Sequence, residues 1–445
     1  MVSTDISLND VFQAESVAVI GASATPGKTG HTILKNIVDG GYKGQIYPVN
    51  PRSPEILGLK AYPSLGDIKT PVDLGVFVVP AALVPGLISE AKAVDMKGAI
   101  VISGGFGEVG NVELEQELIN SLKSTNIRLI GPNCQGINYT PNHLCATWPL
   151  MDKQGPIAII SQSGTVGAAL SGWAEEEGLG ISGFVSLGNK LDVDEMDLLD
   201  FFADDPHTKV IALYVEGIRD GSRFINTVKN VAAKKNLVIL KGGRTSQGRV
   251  AAQSHTKSVA GKYEVFSAIC RDLNITAVKD LELLYDSCKA QACIGRLPGN
   301  RLMLMTSSGG SGIMCVDEME GSGLALANLS HTVKNELKAA LPDHCVVSNP
   351  LDLTGDTAAD RYQLAASIVG QEDIADLLLF IFGDPIPETL PAVLEAKRAT
   401  GLPVAVVYVG GGEIQKQETV TLQQNNIPVF PTPERAIRAI STLLK

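Results

Sequence analysis

Two segments of the chain repeat one pattern. IAIISQSGTVG (157–167) and LMLMTSSGGSG (302–312) each run from apolar residues into a serine-glycine turn and then a helical sequence, pairing Ser163 with Ser308, Gly164 with Gly309 and Gly167 with Gly312. Three more pairs follow in the same order: GNKLD (188–192) with SNPLD (348–352), VIALYVEG (210–217) with LLLFIFGD (377–384), and VILKGG (238–243) with AVVYVGG (405–411). Four matches in one order make chance a poor explanation and predict two tandem flavodoxin-like, doubly wound α/β domains of about 145 residues each.

The residues before the repeat carry the runs SVAVIGAS, GQIYPVN, LGVFVVP, GAIVISGG and IRLIGPN, each closed by Gly, Pro or Asn. Such runs read as buried parallel strands whose loops gather at their carboxyl ends, and they predict a Rossmann-like domain ending near residue 140. NYTPNHLCATWPLMDKQGP reads as a connection and GRLPGN (295–300) as a second break. The expected domains are therefore 1–145, 146–297 and 298–445. A net charge of -11 argues against nucleic acid or an anionic membrane as the main partner. MVSTDISLNDVF lacks the basic-then-apolar pattern of a leader, so a cytoplasmic location is expected. Seven scattered cysteines without a CxxC pair predict reduced, mostly buried thiols and no metal site.

A strand-to-helix turn rich in Ser and Gly offers backbone N–H groups at the positive end of a helix dipole, so Ser161, Gln162, Ser163 and Gly164, and Ser307, Ser308, Gly309 and Gly310, are candidate phosphate sites. Ordinary N-caps favour serine too, and one turn alone would be weak evidence. A third turn, GASATPGKTG (21–30), departs from the GxGxxG fingerprint, and Asn50 in YPVNP stands where an NAD site has an acid for the ribose. Nicotinamide binding is disfavoured; a nucleotide bearing a ribose phosphate fits better, with Lys28 and Arg52 as cations. The two copies also differ. The span from Gly243 to Asn274 is sixteen residues longer than that from Gly411 to Asn426, and the extra residues contain His255 in GRVAAQSHTKSVAG, which reads as a flexible loop. A histidine in a copy-specific loop at a sheet's carboxyl edge points to function.

Together GASATPGKTGHTILKNI, IYPVNP, VISGGFGE, GPNCQGI, SQSGTVG, GNKLDVDEMDLLDFF, YVEGIRDG, SHTKSVAG and VSNPLDLTGD resemble the NDP-forming acyl-CoA synthetases, the family related to succinyl-CoA synthetase, and within it the α-type subunits of the ADP-forming members. The resemblance covers essentially the whole chain. It implies a CoA-binding domain using Gly21, Ala22, Ser23, Pro26, Lys28, Asn50, Arg52, Val79, Pro80, Ser103, Gly104, Asn133 and Cys134, followed by two ligase domains. It further implies that His255 becomes phosphorylated, that Glu216 orients its imidazole, and that helix N-termini at the two serine-glycine turns stabilise the phosphate. Imidazole suits such a relay, being nucleophilic near neutrality and forming a labile phosphoramidate.

Two departures stand out. Lys257 replaces the glycine usual in the family's SHTGS, and nothing resembles the family's ATP-grasp domain. ADP or ATP and Mg2+ are therefore expected on a separate β subunit, in an α2β2 assembly. A catalytically silent CoA-binding regulatory paralogue is the alternative; it need not retain His255, Glu216 and both turns. A dehydrogenase would want an acid at position 50, and a CoA-transferase would use a glutamate thioester and no phosphate sites.

Overall fold

Five of the apolar runs at the start of the chain are strands: β1 (Ser16–Ile20), β2 (Gln45–Val49), β3 (Leu74–Phe77), β4 (Gly98–Val101) and β5 (Arg128–Ile130). They form one parallel sheet in the order β2-β1-β3-β4-β5. β1, β3 and β4 are buried throughout, as strands must be when helices cover both faces. The computed structural model describes residues 6–256 and 262–444, apart from the side chains of residues 253–256.

The second sheet is built from β6 (Ile137–Tyr139), β7 (Leu144–Ala146), β8 (Gln154–Ser161), β9 (Ile181–Ser186), β10 (Val210–Val215), β11 (Asn236–Lys241) and β12 (Thr276–Val278). Its order is β12-β11-β10-β8-β9-β6-β7, with the β6-β7 hairpin antiparallel on the edge. The third contains β13 (Arg301–Thr306), β14 (Ala325–Leu326), β15 (Leu351–Asp352), β16 (Leu377–Phe382), β17 (Val404–Tyr408) and β18 (Val429–Phe430). It runs β14-β13-β16-β17-β18, with β15 paired to the end of β13. In all three sheets the five principal parallel strands follow the order 2-1-3-4-5, so each has its topological switch beside its first strand, where such sheets place ligands.

The chain packs as two compact units, Met1–Glu175 with Gly180–Val278, and Glu176–Leu179 with Lys279–Lys445. The first unit holds the first two sheets over a shared core: Val17 and Val19 of β1 belong to the same buried cluster as Ile137, Leu144 and Ile160. The second unit holds the third sheet, whose faces are covered by two clusters of its own, around Tyr362, Phe380 and Phe382 on one side and around Leu379, Val407 and Phe430 on the other.

Two expectations need correction. The segment read as a connection contains β6 and β7; the turn residues Thr140, Pro141 and Asn142 belong to the hairpin between them, and the strands are too short to show periodicity. The loop read as flexible is helical over Ser246–Thr256, and a second helix, Tyr263–Asp272, follows where the other copy has the single helix Gly412–Gln424. The sixteen extra residues thus correspond to one additional helix. Both copies leave this region through an asparagine in the left-handed region, Asn274 (φ 58°) and Asn426 (φ 57°).

Candidate functional site

Gly21 closes β1 at φ +91°, where a Cβ would collide with the Val78 carbonyl, and a Cβ on Gly30 would collide with the Gly21 carbonyl. Strand and helix Thr29–Asp39 therefore cross with no room for side chains at either position. Asn50 locks this turn to the end of β2: its amide donates to the Ala22 carbonyl (2.7 Å), while its Oδ1 accepts the N–H groups of Arg52 (2.7 Å) and Ser53 (3.1 Å). The Ser23 carbonyl accepts from His31 Nδ1 (2.9 Å), and Pro26, Lys28 and Arg52 are exposed around the turn.

The neighbouring strand ends are knitted together in sequence. Ser103 donates its hydroxyl to the Val79 carbonyl beside Pro80, and the Ser103 carbonyl accepts the Asn133 N–H (3.0 Å). Asn133 takes φ +57°, and a Cβ on Gly104 would lie 2.9 Å from its Oδ1. Its amide donates to Asn189 Oδ1 (3.3 Å), and the Asn189 amide donates to Glu108 Oε2 (2.6 Å). Burial raises the Glu108 carboxyl, but hydrogen bonds from the Gly105 N–H and Asn189 outweigh it and leave the pKa below its ordinary value. Cys134 is buried against the Val101 carbonyl, and desolvation pushes its thiol up to about 12, so it is no nucleophile near neutrality.

Register brings the second sheet to the same place. Ser161 at the end of β8 lies level with Ser186 of β9 and Tyr214 of β10, and Val215 lies level with Lys241 of β11. Between these ends and Asn133–Gln135 is a cavity of about 270 Å³, bounded by Trp148, Gln162–Thr165, Gly188–Lys190 and Arg219. A Cβ on Gly164 would reach Gln135 Oε1 at 2.8 Å and Ser186 Oγ at 3.3 Å. Of the predicted turn, the Ser161 hydroxyl is buried and donates to the Ser163 carbonyl (2.5 Å), while Ser163 Oγ accepts the Val166 N–H (3.5 Å) as a helix cap. Gln162 Oε1 accepts the N–H groups of Glu216 (2.8 Å) and Gly217 (3.3 Å).

Glu216 is buried, with Oε1 accepting from Tyr214 OH (3.3 Å). Burial, then the adjacent carboxylate, raises the Tyr214 phenol to about 12. The backbone of His255 lies on the helix Ser246–Thr256, whose Ala252 comes within 3.3 Å of a Cβ built on Gly243. The neighbouring Gly242 has the same closeness to the Glu216 Cγ. The His255 side chain, and Lys257 altogether, lie outside the described residues.

In the second unit the repeated turn has its own geometry. Ser307 Oγ accepts the Gly383 N–H (2.9 Å), Ser308 Oγ caps the helix Gly309–Met319 by accepting the Ser311 N–H (3.4 Å), and a Cβ on Gly309 would reach Asp352 Oδ2 at 2.7 Å. Gly310 has open space around its Cα.

The sequence reading passed over Gln135, Trp148, Asn189, Lys190, Arg219 and Lys241. Five of these sit inside motifs already noted, GPNCQG, GNKLD, YVEGIRDG and VILKGG, and a lysine closing an apolar strand was itself a visible signal.

Comparison with known proteins is consistent along the chain. Residues 15–140 match the CoA binding domain family, 154–291 the succinyl-CoA ligase like flavodoxin domain, and 302–441 the ligase-CoA domain. The α subunit of ADP-forming acetate–CoA ligase I from Pyrococcus furiosus is 38% identical, over 99% of this chain and 98% of that protein. The ADP-forming acetate–CoA ligase I of Archaeoglobus fulgidus is 38% identical over 97% of this chain, which spans only 63% of that longer relative. A solved structure, the dinucleotide forming acetyl-coenzyme A synthetase 1 of Candidatus Korarchaeum cryptofilum in complex with phosphate and ADP, superposes with a TM-score of 0.89 at 38% identity, covering 98% of this chain and 96% of that one.

Proposed function

The chain belongs to the ADP-forming acetate–CoA ligase family, and from that premise we propose that it is the CoA-binding, phosphoryl-carrying α-type subunit of an acid–thiol ligase. The reaction interconverts acyl-CoA, ADP and phosphate with carboxylic acid, CoA and ATP. Residues 1–145 would hold CoA along Gly21–Lys28, Asn50–Arg52 and the ends of β3, β4 and β5; residues 146–297 and 298–445 would carry the two phosphate turns.

A phosphate oxygen held by the N–H groups of Ser163 and Gly164 attacks the thioester carbonyl, the C–S bond breaks, and CoA leaves as the thiolate. The imidazole of His255 then attacks phosphorus in the acyl phosphate and the carboxylic acid departs as carboxylate. Glu216, accepting the N–H of the other ring nitrogen, holds the tautomer that makes the attacking nitrogen nucleophilic. Transfer from the phosphohistidine to ADP takes place on a β-type partner with an ATP-grasp domain, which would also hold Mg2+, within an α2β2 cytoplasmic assembly. Among the described residues no helix is long and apolar enough to cross a membrane.

The observation that supports this reading most directly is the meeting of Asn133–Gln135 with Gln162–Thr165 around one cavity, next to the turn bearing Glu216. It brings the carboxyl edge of a CoA-type domain against a phosphate-type turn. Incubation with acetyl-CoA and radiolabelled phosphate is expected to leave acid-labile, base-stable label on the chain. His255→Ala should take none, while His331→Ala labels normally. Undiminished label on His255→Ala would end the assignment.

A further inference from the structure

The four backbone polar groups of Glu216 and Gly217 are all taken by side chains from neighbouring strand ends. Both N–H groups donate to Gln162 Oε1. The Glu216 carbonyl accepts from Lys241 Nζ (2.5 Å) and the Gly217 carbonyl from Lys190 Nζ (2.7 Å). Gln162 follows β8, Lys190 follows β9 and Lys241 ends β11, so three separate parts of the sheet converge on one residue pair.

The duplicated fold supplies an internal control. By motif and register, Glu216 corresponds to Gly383, Lys190 to Pro350 and Lys241 to Tyr408, since Lys241 lies opposite Val215 as Tyr408 lies opposite Phe382. The copy without the carboxylate is also the copy without either lysine, and there Ser307 Oγ alone holds the Gly383 N–H. The lysines thus accompany the carboxylate, while the fold itself is built without them.

The two ammonium groups differ. Lys190 is paired with Glu195 Oε2 (2.9 Å), both residues being at most 2% exposed. Lys241 is equally buried, yet both hydrogen bonds of its Nζ go to carbonyls, those of Glu216 and Gly242. Burial lowers its pKa, and Glu216 is the carboxylate that acts against that shift. A neutral donor would satisfy two carbonyls without the cost of desolvating a charge. The ammonium bonds the backbone of Glu216 itself, the residue whose carboxylate is buried in the same cluster.

We propose that Lys241 is a positioning residue for the phosphoryl transfer: it fixes the backbone that carries Glu216 and brings its ammonium to the residue whose carboxylate is to accept from the histidine. This rests on the role proposed above for Glu216 and extends it.

The test uses the full chain with acetyl-CoA and radiolabelled phosphate, comparing the initial labelling rate of wild type, Lys241→Met and Lys241→Gln. Lys241→Met removes donor and charge; Lys241→Gln keeps a donor and removes the charge. Both should label about a hundredfold more slowly, the size of loss that follows when a catalytic group is misplaced by about an ångström. The concentration of acetyl-CoA giving half-maximal rate, and CoA affinity by calorimetry, should stay at wild-type values, because the CoA turn is built from other strands. A purely structural lysine would lower rate, CoA affinity and melting temperature together, and that pattern would overturn the proposal. If Lys241→Met fails to fold, Lys241→Gln decides: slow labelling with intact CoA binding supports the proposal, and wild-type labelling sinks it. An unlabelled wild-type chain would remove the phosphohistidine reading and this proposal with it, whereas a labelled wild type matched by Lys241→Gln removes this proposal alone.

Discussion

Asn50 argues against nicotinamide binding as the missing acid of a dinucleotide site, and its geometry supplies a second reason for the residue type. Its amide must donate to the Ala22 carbonyl while its oxygen caps Arg52 and Ser53; a carboxylate could do only the latter. Asn50→Asp should therefore loosen the GASATPGKTG turn by about 1–3 kcal/mol, the cost of setting an acceptor against an unpaired carbonyl. Urea unfolding and CoA calorimetry would register the loss, and no NAD affinity should appear in exchange. Asp73 gives a pH-dependent counterpart. Its carboxylate accepts from the Glu15 N–H (3.0 Å), the Ser16 hydroxyl (2.9 Å) and Lys97 (2.8 Å). Burial alone would raise its pKa, but the bonds from Lys97, Ser16 and Glu15 win and lower it. A depressed folded pKa contributes stability above the unfolded value, and that stability fades as pH falls through the folded one. Asp73→Asn should then unfold at lower urea than wild type near pH 7, with the gap narrowing by about pH 3. At this scale the sequence was legible where chemistry is tied to backbone shape, as at Gly21, Gly30 and Gly164. It was not legible for Lys190 or Asn189, because a polar residue's role depends on burial and on partners as distant as Gly217, 27 residues from Lys190, and Glu108, 81 residues from Asn189.

The β6-β7 hairpin is the element that the sequence concealed. It carries no hydrophobic alternation long enough to read, and its Pro and Asn residues look like a linker. Yet it is a joint within the first unit: Asn36, on the helix after the CoA-type turn, donates to the Thr147 carbonyl (2.7 Å), and Asn142 donates to the carbonyls of Phe12 (3.2 Å) and Ala14 (3.0 Å). Phe12 in turn stacks on Phe201 at 4.4 Å and meets Tyr139 edge-on at 5.6 Å. Polar anchors at both ends and aromatic packing between them fasten the first sheet's domain to the second. Asn36→Ala would leave the buried Thr147 carbonyl unpaired and should cost about 1–3 kcal/mol. Tryptophan fluorescence during urea unfolding can follow this, since Trp148 and Trp173 both lie in the first unit. A midpoint unchanged from wild type would show that the hairpin is not such a joint. The helix Ser246–Thr256 was hidden for a different reason: its glycine, serines and short apolar residues give no clean period, and the helix gains its place through Ala252 against Gly243.

Duplication was the most readable feature of the whole molecule, because matching strand ends in matching order survives divergence of the residues between them. Compactness follows a different boundary. The second unit begins at Lys279, takes in the helix Leu281–Cys293, and includes Glu176–Leu179 from within the first copy. The physical reason is charge burial. Lys289 is 0% exposed and needs acceptors: Glu177 Oε2 lies 3.0 Å from its Nζ and Asp286 Oδ1 3.4 Å, with Arg435 gripping Asp286 through two bonds. Glu177 also accepts from Tyr285 OH (2.8 Å) and Gln423 Nε2 (2.7 Å). No repeat-based reading could find this network, since Glu177 and its partner Gln423 are 246 residues apart and no member has a motif. Removing one partner from such a cluster costs far more than removing both, because the survivor is left charged and desolvated. Glu177→Ala should destabilise the second unit by about 3–5 kcal/mol, and adding Lys289→Met should restore most of that loss. Urea unfolding followed by circular dichroism on the two single variants and the double variant gives the coupling directly. If the double variant is as unstable as the sum of its parts, the cluster is not what binds Glu176–Leu179 into the second unit.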